Sequence, residues 1–271
     1  MDINVNEWLN LFLRWFHVVA GVLWIGQTAF FSWLDTRMKL EADPETGEQV
    51  WMVHSGGFYQ VKKLKAPASD PKVLHWFKWE AAFTWLSGML LLGVVYHAGG
   101  LMVEYGSEMS SGRAASIGTG VLIVGWLVYD LLWKSPLSRH VAIANLLSFG
   151  LLIAAAYGMS QVMSGRAAYI HTGALMGTLM TLNVWMRILP GQRRMVEAVK
   201  EGRAPDMTYA IQAKSRSTHN TFMAVPLIFI MISNHFPTAS YGRSDRWTML
   251  VAFVLLGFAA RWLMNRWNEK G

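Results

Sequence analysis

The chain has 271 residues, 53% of them hydrophobic and 15% charged, with a formal charge of +7 and a mean hydropathy of +0.27. A soluble domain carries about a quarter charged residues, so the composition indicates an integral membrane protein, and the positive charge reads as basic loops on one membrane face, with no nucleic-acid surface implied. The absence of cysteine excludes disulfides, Cys-ligated zinc, iron–sulfur clusters and covalently attached c-type haem, which needs Cys-x-x-Cys-His.

Seven apolar stretches approach the ~20 residues that a bilayer core requires: residues 8–34, 74–97, 115–133, 139–161, 168–189, 218–235 and 247–267. The expected fold is all-α, a polytopic transmembrane helix bundle of about seven spans in a single integral membrane domain, 1–271. The opening MDINVNEW lacks the basic region of a cleaved signal peptide, so the first helix is expected to be permanent. Positive charge gathers in alternate loops. Loop 35–72 carries Arg37, Lys39, Lys62, Lys63, Lys65 and Lys72. The turn after the third span carries Lys134 and Arg139. Loop 190–217 carries Arg193, Arg194, Lys200, Arg203, Lys214 and Arg216. The positive-inside rule makes these loops cytoplasmic, with the N-terminus outside and the C-terminus inside.

Within the first loop, residues 40–48 read as an acidic turn around Gly47. Residues 51–65, WMVHSGGFYQVKKLK, mix aromatics with lysines, as an interfacial segment does. The sharper alternative is a lid, in which Gly56 and Gly57 permit a tight turn and present Phe58 and Tyr59 to a flat ligand.

The second span opens unusually for a membrane helix, with LHWFKWEAAFTWLSG. Charged groups in a span are costly and normally face a bundle interior, pair, or serve chemistry. Helical spacing would put His75, Lys78, Trp79 and Ala82 on one face and Glu80, Thr84 and Ser87 on another. The structural alternative is an ion pair between Lys78 and Glu80, with Lys78 snorkelling to the interface.

The eight histidines sort by depth. His17, His97, His171 and His235 lie toward the outside; His54, His75, His140 and His219 lie toward the cytoplasm. His97 and His235 sit at span ends and receive no role, and His54 and His140 read as surface or interfacial. His17 and His171 are deeper and are followed by small residues, which leave room beside an inward-pointing ring. Axial histidines on facing helices are a usual way to hold b-type haem; the alternative is a satisfied core histidine. His75 and His219 are each followed by further polar groups, Asn220 and Thr221 in the second case. Asp130 and Arg187, near the cytoplasmic ends of their spans, are expected to pair, and Pro226 to kink the sixth span. A faint repeat relates the stretches that begin at His17 and His171, so internal duplication is possible.

The segments LRWFHVVAGVLWIGQTAFF, HSGGFYQVKKL, LHWFKWEAAFTWLSG and HTGALMGTLMTLNVWMRILPGQRR resemble the membrane domain of the bacterial urate hydroxylases of the PuuD family, the urate oxidase N-terminal domain. The likeness covers nearly the whole chain. It implies oxidation of urate to 5-hydroxyisourate in purine breakdown, in a bacterial inner membrane, with electrons leaving through a cytochrome c chain. Family members commonly continue into a cytochrome c domain with Cys-x-x-Cys-His. The present sequence carries no such motif, so a separate cytochrome c or a quinone is expected to accept the electrons. A more distant likeness is to HemJ-type protoporphyrinogen oxidases, which place a histidine in the first helix but are much shorter.

The combined expectation is vectorial. Urate enters from the cytoplasm toward Glu80, His75 and His219 as catalytic groups, with Glu80 as general base. Lys78, Asn220, Phe58 and Tyr59 bind the substrate. His17 and His171 hold haem b nearer the outside. A porphyrinogen oxidase, a purine transporter and a bare electron conduit are the alternatives.

Overall fold

The computed structural model describes residues 4–40, 47–64 and 74–270. Residues 1–3, the acidic stretch 41–46, and Lys65 and Lys72 of the first loop lie outside the described residues. The described chain is almost entirely helical: α1 (Val5–Leu40), α2 (Trp79–Leu91), α3 (Ser111–Lys134), α4 (Val141–Val162), α5 (Gly165–Asn183), α6 (Leu189–Lys200), α7 (Thr208–Ser233) and α8 (Arg246–Lys270). Two short π-helical turns extend the pattern, Leu92–His97 after α2 and Val184–Ile188 between α5 and α6. Among the described residues, α1, α3, α4, α8 and the α2 unit as far as His97 are long and apolar enough to cross a membrane.

Helices α5 and α7 fall outside that group for physical reasons. α5 is the centre of the bundle, packed against α2, α3, α4, α7 and α8. It buries His171, Thr172, Thr178, Thr181 and Asn183 along with its apolar residues, so it has no need of a uniformly apolar surface. α7 begins inside the stretch expected as loop 190–217, and its first turns carry Lys214 and Arg216. That stretch is thus mostly helix: α6 buries Leu189, Gly191 and Ala198 while Arg193 and Arg194 face outward.

The largest departure from expectation is a β-hairpin, β1 (Gln49–His54) with β2 (Gly57–Lys62), in register Val50↔Val61 and Met52↔Tyr59. Its turn residues Ser55 and Gly56 both have positive φ, 49° and 78°, which is the backbone of a two-residue hairpin loop whose twist matches the strands. The expected tight turn is present; its place in a hairpin was not foreseen. Val50 packs with Leu34 and Met38 beneath α1, and Lys63 reaches Asp35 at 2.5 Å. That hydrogen bond raises the pKa of the Lys63 ammonium. Lys214 of α7 reaches the same carboxylate, so Asp35 fastens the hairpin and α7 to the end of α1.

The second span also starts later than expected, and this corrects the two-face reading. Residues 74–78 are not helical, and Lys78 is the N-cap of α2 with φ −140°. Trp76 packs on the core and Phe77 meets Phe31 edge to face at 4.9 Å, and these contacts hold the approach to the helix. His75 and Lys78 therefore share no helical face, whereas Glu80, Thr84 and Ser87 do. The expected Asp130–Arg187 pair is present.

The α7–α8 crossing is tight. Pro226 lies inside α7, and a methyl group on Gly257 of α8 would sit 2.4 Å from Pro226 Cα. Gly257→Leu is expected to destabilise the protein by about 1–3 kcal/mol through overpacking. Gly26→Ala, where a methyl meets nothing within 4 Å, is expected to stay within ~0.5 kcal/mol. Thermal unfolding of both variants in detergent checks the contrast.

Candidate functional site

Asp130 of α3 is the hub of the end of the bundle that faces the hairpin. Arg187 approaches it in bidentate fashion, Nε to Oδ1 at 2.7 Å and Nη2 to Oδ2. Arg216 Nη2 donates to Oδ1 at 3.1 Å, and Lys134 lies 3.1 Å from Oδ2. Three cations thus share one buried carboxylate. Arg216 appears in the sequence as one more loop charge, yet it is buried, and it stacks 4.9 Å above the Tyr129 ring.

A continuous polar network leads inward from this hub. Arg216 Nη1 donates to Asn183 Oδ1 at 3.4 Å. Asn183 Nδ2 donates to Tyr129 Oη at 3.0 Å and to Asn220 Oδ1 at 2.9 Å, and Asn220 Nδ2 donates to the Met180 carbonyl. Tyr129 Oη lies 2.7 Å from His219 Nδ1, and the His219 ring packs on Trp133 at 4.1 Å. With Asn183 donating to the tyrosine oxygen, the phenol proton is free to go to Nδ1, and His219 then carries its own proton on Nε2. Asn220 is therefore committed to helix packing, and His219 stands between this network and a cavity of about 680 Å³ bounded by α3, α4, α5, α7 and α8.

Glu80, Lys78 and His75 lie elsewhere, in the first turn of α2 and the segment that leads into it. Gln27 Nε2 of α1 donates to Glu80 Oε1 at 3.1 Å. Lys78 Nζ lies 5.1 Å from the centre of the Trp79 ring and 6.0 Å from that of Trp185. It has no acidic partner among the described residues, so the alternative of a Lys78–Glu80 ion pair is not realised. The two indoles meet edge to face at 5.7 Å, and Trp185 Nε1 is buried with no hydrogen-bond partner among the described residues. Trp185 sits in the π-helical turn that follows α5, and such turns are frequent at functional sites. His75 is exposed beside Phe77, with ring centres 4.6 Å apart. Phe58 and Tyr59 stand exposed on the hairpin. Trp185 was missed because the sequence offers it as one of 14 tryptophans.

In the opposite half of the bundle, His17 Nδ1 lies 3.0 Å from Ser87 Oγ, and the ring rests on Gly88. His171 Nδ1 donates to the Ala167 carbonyl at 2.8 Å, which fixes its tautomer and leaves a lone pair on Nε2. That Nε2 is buried without a partner among the described residues, as is His97 Nε2. The His97 and His171 rings lie 6.0 Å apart and within 24° of parallel. His171 and His97 are therefore the residues of this half whose free ring nitrogens could hold a haem or metal ion. Gly118 of α3 is required here, because a methyl there would sit 2.7 Å from His171 Nε2. His97, to which the sequence assigns no role, is thus the neighbour of His171, while His17 stands apart against α2. Among the described residues no three His, Asp or Glu side chains converge as a metal site.

Arg261 of α8 is a further residue that sequence reasoning missed. It is buried, donates to Ser32 Oγ at 2.6 Å, and leaves Nε without a partner among the described residues.

These features define a helical membrane protein whose buried polar groups are divided by a central helix. A family model described as "Urate oxidase N-terminal" matches residues 3–271. The chain belongs to that family. No curated protein and no solved structure matches it.

Removing the hub carboxylate strands Arg216 as an unpaired buried charge. Asp130→Asn is expected to cost about 3–5 kcal/mol, whereas Asp245→Asn, in the exposed Arg243–Asp245 pair, is expected to cost under ~1 kcal/mol. The check is the thermal midpoint of each variant in detergent.

Proposed function

We propose that the protein is a membrane urate oxidase that converts urate to 5-hydroxyisourate on the α2 side of α5. The observation that carries this reading is the family match across the chain, joined to groups near the start of α2 that suit a purine anion. Lys78 supplies a positive charge without an acidic partner. Trp185 Nε1 is a buried donor awaiting an acceptor, which a urate carbonyl provides. The Trp79 and Trp185 rings offer flat faces. Glu80, oriented by Gln27, is the base.

The chemistry balances as follows. The urate monoanion and one water give 5-hydroxyisourate, one proton and two electrons. The C5–O bond forms from water, Glu80 takes the water proton as general base, and exposed His75 passes it to solvent. Desolvation by the surrounding tryptophans strengthens the attraction between Lys78 and the anion. Phe58 and Tyr59 belong to the approach path in this reading, carried by a hairpin that Lys63 ties to Asp35.

All seven long helices are read as crossing a bacterial inner membrane, with the N-terminus outside and the basic ends cytoplasmic. The half distant from the hub, containing His17 and His171, is read as the location of b-type haem. What supports this is the pair of buried, unpartnered Nε2 atoms on His171 and His97, so His97 takes the second ligand position ahead of His17. When bound, haem would supply reversible one-electron storage. The equivalent placing of His17 and His171 in the faint repeat is compatible with internal duplication.

Urate consumption, followed anaerobically by its absorbance with ferricyanide as acceptor, tests the enzyme reading. Glu80→Gln is expected to lower kcat about 100-fold or more with little change in KM, and Lys78→Met to raise KM predominantly. Binding of urate without consumption would replace the enzyme with a transporter. The haem reading predicts a Soret band in the purified protein that His171→Ala abolishes. Its absence from protein produced with ample haem would overturn the ligand assignments.

A further inference from the structure

The cavity of about 680 Å³ beyond His219 has no part in the urate chemistry above. It extends along α3 from Val121 to Trp133, which at 1.5 Å per residue is about 18 Å. Val124, Val128, Val141 and Leu255, which line it, are exposed on the bundle surface, so it opens sideways to lipid. Its polar groups gather at the hub end, namely His219, Tyr129, Asn145, Ser148, Ser215 and Thr218. Its remaining lining is apolar apart from the Trp133 indole, whose N–H is spent on Ser148 at 3.0 Å. None of the lining residues is Asp, Glu, Lys or Arg. The nearby charges are those of the hub, where Arg216, Arg187 and Lys134 all engage Asp130 and Arg216 also meets Asn183.

Charge complementarity selects the occupant. A phospholipid headgroup, the carboxylates of a tetrapyrrole and the urate anion all require a cation that the lining does not offer. A neutral head with one or two carbonyl oxygens on an apolar tail satisfies every part of the cavity. The His219 Nε2–H has no hydrogen-bond partner among the described residues and meets such an oxygen, Tyr129 and Asn183 hold the ring in place, and the tail leaves through the lateral opening. The geometry points to a binding site for an isoprenoid quinone, the electron acceptor of the oxidase.

This inference rests on the urate reading for its source of electrons. The balance is urate monoanion, water, quinone and one proton giving 5-hydroxyisourate and quinol. The quinone takes two electrons and two protons. One proton is the equivalent that Glu80 releases, and the other comes from cytoplasmic water, which reaches the head past exposed Thr218. The two sites lie on opposite faces of one helical segment. Asn183 faces Tyr129 and Asn220, and Trp185, two residues on, faces Trp79. A helix with its side chains is ~10–12 Å across, a short separation for two redox partners.

The test uses the full chain in quinone-free phosphatidylcholine nanodiscs with decylubiquinone as probe. Saturable binding at one site is expected, weakened at least tenfold in Ala155→Trp, which fills the cavity, and in Val124→Trp, which blocks its mouth from the surface. Anaerobic urate is expected to reduce bound decylubiquinone one for one, and both variants are expected to lose this while oxidising urate with ferricyanide within twofold of the unmodified rate. Unsaturable partitioning, or equal binding by the unmodified protein and both variants, would mean that lipid acyl chains own the cavity and would overturn the proposal. So would reduction of cytochrome c by urate with decylubiquinone inert. If ferricyanide supports no urate oxidation, the urate reading fails on its own, and the binding contrast still decides the site.

Discussion

The carboxylate of Asp130 is the constraint on which the rest of this bundle depends. A charge at that depth is tolerated only when paired and hydrogen-bonded, and Asp130 meets the condition by drawing in Arg187, Arg216 and Lys134. Each cation comes from a different position in the sequence, so the one carboxylate fixes the rotation of α3, of the turn after α5, and of α7. The local sum remains positive, which suits the membrane face that carries the other basic residues.

From that hub the central helix inherits its composition. Asn183 must present its amide to Tyr129, Asn220 and Arg216, and His171, near the other end, presents a ring to the His97 side chain. Between them Thr178 and Thr181 receive and give hydrogen bonds to α2, from the Trp85 indole and to the Ala81 carbonyl. A helix surrounded by others on all sides loses nothing by carrying such groups, provided each is satisfied. The groups without a partner among the described residues, His171 Nε2 and, in the π-helical turn that follows α5, Trp185 Nε1, are the ones to which the proposed function gives a ligand. The unpartnered Nε of Arg261 marks the α1–α8 seam in the same way.

Much of the architecture was legible in the sequence because membrane spans announce themselves by length and apolarity. The Asp130–Arg187 pair was legible too, from two charges at matching depth. The hairpin was not. Its aromatic and lysine residues read equally as an interfacial segment, and the Ser-Gly turn signal was passed over in favour of Gly56-Gly57. Helical periodicity misplaced His75 and Lys78, because residues 74–78 approach α2 without joining it. Arg216 was hidden by a boundary: with α7 starting at Thr208, a residue counted with the loop becomes a buried partner of Asp130. His97 was discounted as a span-end histidine, a position where a wetted side chain is ordinary, and only the packing of the π-helical turn against α5 turns it toward His171.

The π-helical turn Val184–Ile188 links these observations. It lies where the polar segment must serve three neighbours within five residues: Asn183 toward α3 and α7, Trp185 toward α2, and Arg187 back toward Asp130. The wider turn alters the angular steps between successive side chains, so that neighbouring residues face different helices. On the α2 side the free groups are a cation, a carboxylate and a buried indole N–H, which suit a small anion. On the α3–α7 side the hub cations all turn to Asp130 and the cavity lining itself carries no charge, which suits an uncharged, lipid-borne molecule. In the proposed reading one stretch of helix thereby separates substrate from acceptor by electrostatics, while holding them within a helix diameter of each other.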